Sequence, residues 1–376
     1  MKLLFVQPYF EFLDAFFNTL PRYLAEKGHH IEVIGYVGRR QKMNLSLKDE
    51  NIHFHPIDAL SLSIPYLVKE FPYFKNLEDM IKESQPDIIH INNLPFLTSF
   101  QSILIAKKLR IPSVLHVHGV IGARAKILNF MQYAFIMTLM QRAFHETNLV
   151  ICLTQSDALE IQKLGCPIEK IRVIPNGVDI NKFKPFREPE EDLIFWGGRF
   201  MPEKGLEHLM KALSMIVKVK PKVKLIMAGG GLFFPKIYKM VVNFGLKRNV
   251  IFKGVVAHDK LPALINTASL CVLPSLKEGM PYILLEAMAC GRAVIGSDIA
   301  GINDVISHRV NGILVPPKNT KALVEAIIQL LEDRDLRRKL GENARKLIVE
   351  KYSWQKISEK VERVYYEMAT SIRNKT

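Results

Sequence analysis

Two glutamates eight positions apart, Glu278 and Glu286, stand in the run Pro274-Ser275-Leu276-Lys277-Glu278-Gly279-Met280-Pro281-Tyr282-Ile283-Leu284-Leu285-Glu286. Proline is tolerated in a first helical turn, so a helix is expected to start near Pro281. That places Glu278 on the loop before the helix and Glu286 between one and two turns inside it, both near one end. A carboxylate accepts two hydrogen bonds from vicinal hydroxyls, as an acidic residue does for ribose in dinucleotide folds, so two of them suit a sugar nucleotide. The plainer alternative is one helix-start charge and one partner of a basic side chain. A second cluster is Gly197-Gly198-Arg199-Phe200-Met201-Pro202-Glu203-Lys204-Gly205. Its glycines let backbone approach a ligand, and Arg199 and Lys204 beside a helix start make a compact site for a diphosphate. The form is neither a GxxxxGK[ST] P-loop nor a GxGxxG fingerprint. Its alternative is a glycine-lined turn with two solvated cations.

Histidines form a third group. In Val114-Leu115-His116-Val117-His118-Gly119 period-two alternation puts His116 and His118 on one face of a strand end, where one of them suits a core role with a hydrogen bond to backbone. His90, in Pro86-Asp87-Ile88-Ile89-His90-Ile91-Asn92, also ends an expected strand, with a structural role favoured.

The elements that must position these groups are legible as short apolar runs between helical patterns. Leu3–Val6, Ile31–Tyr36, Asp87–Ile91, Ser113–His118 and Leu149–Leu153 read as strands buried on both faces of a parallel sheet, with helix-like spacing over Ala15–Lys27 and Phe96–Leu109. Pro185–Asp192, with two prolines and four carboxylates, reads as an exposed linker. The alternation restarts at Leu193–Gly198 and continues through Val223–Met227, Val250–Lys253, Leu270–Pro274, Ala293–Ser297 and Gly312–Val315. Helical stretches follow over Thr320–Leu331, Asp333–Lys351 and Ser353–Ser371, the last with an N-cap at Ser353. The fold class is therefore α/β, with two Rossmann-like doubly wound domains: residues 1–186, then 187–352, then a C-terminal helix over 353–376 expected to pack back on the first domain. Two such sheets in series imply a cleft at their strand ends, where α/β proteins hold ligands.

At 376 residues, 48% hydrophobic and 24% charged, the chain can bury a core, which excludes disordered and collagenous classes. Four cysteines without a CxxC pair argue against a zinc ribbon or a disulfide-stapled secreted fold and for a reducing cytoplasm. No run reaches the ~20 apolar residues that span a bilayer. The net charge of +15 is concentrated: residues 101–150 hold six basic residues against one acidic, and 201–250 hold ten against two. Such a field favours an anionic partner without naming it. The stretch Arg124–Arg142, basic at its ends and apolar between, reads either as a core helix or as an interfacial helix on anionic lipid.

Taken together these residues resemble glycosyltransferase family 4, of the two-domain GT-B fold. Glu278 and Glu286 are similar to its double-glutamate signature, and EGMPYILLEAMACG is similar along its whole length. Ile174–Asp179, Gly198-Arg199 with Glu203-Lys204-Gly205, and Asn311–Pro317 match as well. The resemblance implies that Arg199 and Lys204 grip the donor diphosphate, Glu286 the ribose hydroxyls, and Glu278 the transferred sugar. Backbone amides of Gly279 and Met280 add contacts, with Gly198 beside them. The base sits against Phe252–Val255, so that Val255 lines the donor site. His118 matches a histidine that the family aims into the cleft. With Arg199, Lys204 and Glu278 it completes the implied catalytic set. Two departures stand out. Where members often carry Gly-Gly after the first strand, this chain has Gln7-Pro8-Tyr9-Phe10-Glu11-Phe12, which points to a bulkier, more aromatic acceptor pocket. Asn303-Asp304 replaces the usual proline and glutamate.

The resemblance implies a retaining, metal-independent transfer from a nucleoside diphosphate sugar to a glycan or lipid-linked acceptor, in cell-envelope glycan or glycolipid synthesis. No cofactor is expected beyond that co-substrate. The expected location is cytoplasmic, peripheral on an anionic inner membrane face. Two rivals are a non-catalytic sugar-nucleotide-binding partner, prompted by the missing Gly-Gly pair, and a basic RNA-binding protein. No RNA-binding motif accompanies the charge, and no nucleic-acid partner is expected.

Overall fold

The structure is a computed structural model that describes residues 1–8, 19–36, 51–62, 71–93, 96–118, 138–139 and 141–373. The chain divides into two compact units, Met1–Pro175 with Ile357–Thr376, and Asn176–Lys356.

In the first unit β1 (Lys2–Gln7), β2 (His30–Tyr36), β3 (Ile52–Ile57), β6 (Ile88–Asn92), β7 (Ser113–Val117), β8 (Leu149–Cys152) and β9 (Ile171–Val173) form a parallel sheet. Its strand order is β3-β2-β1-β6-β7-β8-β9. Between β3 and β6 lies an antiparallel pair, β4 (Ala59–Leu62) with β5 (Phe71–Phe74). Leu3, Leu4, Ile31, Val33, Ile89 and Leu115 are fully buried, as expected where helices cover both faces of a sheet and each strand reads as a continuous apolar run. The final helix, Trp354–Arg373, contributes its residues from Ile357 onward to this unit. Lys27 and His29 each reach Glu362 at 2.8 Å, and Val361 and Tyr365 are fully buried.

In the second unit β10 (Glu190–Gly197), β11 (Lys224–Ala228), β12 (Val250–Gly254), β13 (Ala268–Leu273), β14 (Ala293–Ser297) and β15 (Ile313–Val315) form another parallel sheet. The order is β12-β11-β10-β13-β14-β15. Trp196, Phe200, Leu206, Met210, Leu213, Leu225 and Leu270 pack its core, and each such side chain contributes on the order of 1.5–3 kcal/mol by leaving water.

The division falls eleven residues before the expected boundary at 186, because residues 176–186 are bound into the second unit. Asn176 Nδ2 donates to the Met280 carbonyl at 3.0 Å. Arg345 Nη1 donates to Phe183 O at 2.7 Å, and Asn266 Nδ2 to Lys184 O at 3.1 Å. The polar stretch expected as a linker is likewise partly strand, since β10 already begins at Glu190. At the C-terminal end Ser353–Lys356 stays with the second unit, where Val178 pairs with Ser353, so the transition comes at Ile357 rather than at 353. Ser353 Oγ accepts from Lys356 N at 3.4 Å, a long N-cap contact. All four cysteines are buried free thiols.

Candidate active site

Strand order in the second sheet reverses between β10 and β13, and ligands of open α/β sheets bind outside the carboxyl ends of strands at such a point. The loops leaving those two strands are Gly198–Gly205 and Pro274–Pro281, which carry both sequence clusters. They touch: Leu276 N donates to Glu203 O at 2.7 Å. Gly205, at φ 64°, lies where a Cβ would overlap the Pro274 carbonyl oxygen, so only glycine permits this approach.

Contact between the loops brings Lys204 Nζ within 2.7 Å of both Glu278 carboxylate oxygens. Ser275 Oγ donates to Glu278 Oε1 at 2.6 Å. The two charged side chains are only 18% and 8% exposed. At that burial the attraction largely offsets desolvation, but removing one partner of a fully buried pair costs about 3–5 kcal/mol, an upper bound here. Arg199 is exposed, and no carboxylate among the described residues lies within ion-pair distance of it.

The helix that carries the second glutamate runs from Tyr282 to Ala289 with Pro281 extended at its N-cap, in agreement with the sequence expectation. Leu284 to Ala289 are all buried, Glu286 among them, and a buried carboxylate needs partners. Glu286 Oε1 lies 2.6 Å from His258 Nε2, and His258 Nδ1 lies 2.9 Å from Lys182 Nζ. Burial and the nearby Glu286 charge push the Tyr282 phenol well above its usual range, so it stays a neutral hydroxyl. Val255, just past the end of β12, is 86% exposed.

Two further matched segments brace the Pro274–Pro281 loop, and Asn311 closes a turn of its own. Asn176 holds Met280 by its side chain, and Gly301, at φ 82°, packs against the Gly279 carbonyl where no Cβ fits. Asp304 Oδ2 accepts from Gly301 N at 2.8 Å, so the shorter acid still closes this turn. Asn311 Oδ1 accepts from Ser307 N at 2.7 Å and Asn311 Nδ2 donates to Val305 O at 3.1 Å.

In the first unit the histidines form a chain. Tyr365 OH is 2.6 Å from His90 Nδ1, and His90 Nε2 is 3.2 Å from His116 Nδ1. The rings of His116 and His118 lie 4.2 Å apart, and His118 Nε2 is 3.0 Å from Asn92 Oδ1. Burial lowers all three: His116 to about 3, and His90 and His118 well below the usual histidine range, each of these two further lowered by its histidine neighbours. All three are therefore neutral at pH 7. His116 is buried as its alternation implied, but its partner is a histidine rather than backbone. Residues 9–18 and most of Arg124–Arg142 lie outside the described residues.

The family model described as Glycosyltransferase Family 4 matches residues 16–182, and that described as Glycosyl transferases group 1 matches residues 178–347. The chain belongs to the family 4 glycosyltransferases. N-acetyl-alpha-D-glucosaminyl L-malate synthase of Bacillus anthracis is 26% identical to this glycosyltransferase over 374 residues, 95% of this chain and 94% of that one. The UDP-Gal:alpha-D-GlcNAc-diphosphoundecaprenol alpha-1,3-galactosyltransferase of Escherichia coli is 26% identical over 341 residues, 86% of each. The Anabaena protein HepE, solved in complex with UDP and glucose, superposes with a TM-score of 0.80 at 19% identity over 98% of this chain and 100% of that one, which establishes the GT-B fold. Sequence reasoning singled out Arg199, Lys204, Glu278 and Glu286 in this glycosyltransferase but missed Ser275, Lys182 and His258. Lys182 follows closely on the matched Ile174–Asp179 motif, whereas His258 sits in an otherwise exposed loop with no motif around it.

Proposed function

We propose that this glycosyltransferase moves a sugar from a nucleoside diphosphate sugar to a hydroxyl of a lipid-linked or saccharide acceptor, with retention at the anomeric carbon and without a metal ion. The observation that carries the reading is the Lys204–Glu278 pair at the β10/β13 switch point, with Arg199 exposed in the same loop as Lys204 and Glu286 on the helix that follows Glu278. Lys204 already spends two donors on Glu278 and keeps a third for a diphosphate oxygen. Glu278, held by Lys204 and Ser275, presents a fixed carboxylate to the sugar hydroxyls, and Glu286 accepts from the ribose. As the anomeric bond lengthens, negative charge gathers on the departing phosphate. Arg199 and Lys204 stabilise it electrostatically, and a phosphate oxygen takes the proton of the incoming hydroxyl on the same face. Desolvation keeps His118 neutral, so the role that the resemblance gives it is that of a hydrogen-bonding group rather than of a charge. The lipid-linked acceptor of the Escherichia coli relative supports an envelope glycan or glycolipid role.

The test is turnover and donor hydrolysis with a panel of nucleotide sugars. Arg199→Ala is expected to remove about 2–4 kcal/mol of transition-state stabilisation with an unchanged Tm. Lys204→Ala loses activity and also lowers Tm, because it strands Glu278. Wild-type turnover in both variants would sink the reading. Activity is expected to survive EDTA, and rescue of a chelated enzyme by Mg²⁺ alone would remove metal independence from the proposal. No helix among the described residues is long and apolar enough to cross a membrane. For the peripheral location, anionic liposomes are expected to bind the protein at low salt and release it as the field contracts to about 8–10 Å at physiological strength. Equal binding to neutral vesicles would contradict that part.

A further inference from the structure

Glu286 is the more deeply placed of the two glutamates, with a side chain 6% exposed, and the hydrogen bond to its carboxylate comes from His258. An ammonium group carries donors and no acceptor, so Lys182 Nζ must donate to His258 Nδ1. The single ring proton then lies on Nε2 and is donated to Glu286 Oε1. The imidazole is held from its other sides too. The ring of Phe183, itself 1% exposed, tilts against it with centroids 5.1 Å apart. Lys182 N donates to Asp179 Oδ1 at 3.0 Å, which fixes the segment that supplies both Lys182 and Phe183. His258 itself stands on the loop between β12 and the helix Leu261–Thr267, where Val255, Ala257, Asp259 and Lys260 are exposed. The hydrophobic core makes no demand for a histidine there.

We propose that Lys182 and His258 are positioning residues for the donor: Lys182 sets the imidazole tautomer, and His258 in turn fixes the rotation of the Glu286 carboxylate so that Oε2 faces the ribose hydroxyls. This deepens the reading of Glu286 as the ribose acceptor and rests on it. A carboxylate anchored through one oxygen has its second lone-pair set aimed in advance, so no rotational freedom is lost when the ribose arrives. In the other tautomer Nε2 would meet the carboxylate lone pair to lone pair, and the geometry seen could not form.

The experiment is calorimetry on the full chain with UDP, GDP, ADP and CDP, followed for the tightest of the four by its 2′,3′-dideoxy analogue. His258→Ala is expected to weaken the ribonucleotide by about tenfold while leaving the dideoxy form within about twofold, because the lost order concerns only the hydroxyl contacts. His258→Gln restores most of the difference, since its amide nitrogen can donate to Glu286 from a similar place. Lys182→Met gives an intermediate loss of about threefold, as the tautomer is no longer imposed. In turnover the His258→Ala variant raises the donor KM and spares kcat. Unchanged ribonucleotide affinity in His258→Ala, or equal weakening of both forms, overturns the proposal and leaves the ribose assignment standing. A wild-type protein that binds both forms alike, or none of the four nucleotides, overturns the ribose assignment itself and the proposal with it.

Discussion

At the scale of single residues, Glu278 and Glu286 are the same side chain in two electrostatic settings. Glu278 is neutralised by the ammonium of Lys204 and a hydroxyl, whereas Glu286 meets the imidazole of His258. Their amide variants should therefore behave oppositely toward free nucleoside diphosphate. Glu286→Gln weakens both the sugar nucleotide and the free diphosphate, since the lost acceptor faced a group common to both. Glu278→Gln leaves the free diphosphate as tight or tighter, because Lys204 loses its competing partner, yet it lowers turnover through the contact to the migrating sugar. Calorimetry with the free diphosphate decides this, and equal weakening by the two changes means that one glutamate is misassigned. Residue types and spacing marked Arg199, Lys204, Glu278 and Glu286 as candidates, because each sits in a cluster at a strand end, and only the family resemblance gave them roles. They were not enough for His258. A lone histidine in the largely exposed run Val255-Val256-Ala257-His258-Asp259 acquires its role only when folding brings it 2.6 Å from a residue 28 positions away.

At the scale of elements, the central strands were legible because burial on both faces leaves nearly uninterrupted apolar runs, as in Leu3–Val6 and Leu270–Leu273. The edge strand β3 was not. Its sequence, Ile-His-Phe-His-Pro-Ile, is buried only at its two ends, and a proline is tolerated because one side carries no ladder. The three-residue β9 at the opposite edge escaped for the same reason. Loop contacts were also illegible as contacts, although their glycines were visible. Gly205→Ala tests the most demanding of them. A left-handed residue costs roughly 1–2 kcal/mol on backbone grounds alone, and the added methyl must also push the Pro274 carbonyl away. Urea denaturation is expected to show at least that loss, with activity falling further because Lys204 and Glu278 part. Wild-type stability and turnover together would show that the two loops do not depend on this approach.

At the scale of the whole molecule, the first unit depends on residues from both ends of the sequence. Its buried histidine chain ends on Tyr365, and His29 and Lys27 hold Glu362 of the same helix. Because His116 titrates near 3 when folded but at its ordinary 6.5 when unfolded, the unfolded chain binds more protons below pH 6.5. Stability is therefore full above about pH 6.5 and declines as pH falls toward 3, with His90 and His118 adding in the same direction. In His116→Asn, unfolding free energies from urea titrations between pH 7 and pH 5 should fall less steeply than in the wild type, by up to about 1.4 kcal/mol per pH unit. Identical slopes would mean that this ring is not kept neutral by burial. The placement of the last helix has one more consequence, for the order in which the protein is made. Domains generally fold as units while the chain emerges, the N-terminal one first. Here the first unit lacks Ile357–Arg373 until the whole of Asn176–Lys356 has been synthesised. The part begun first is completed last, and until then His90 waits without its tyrosine.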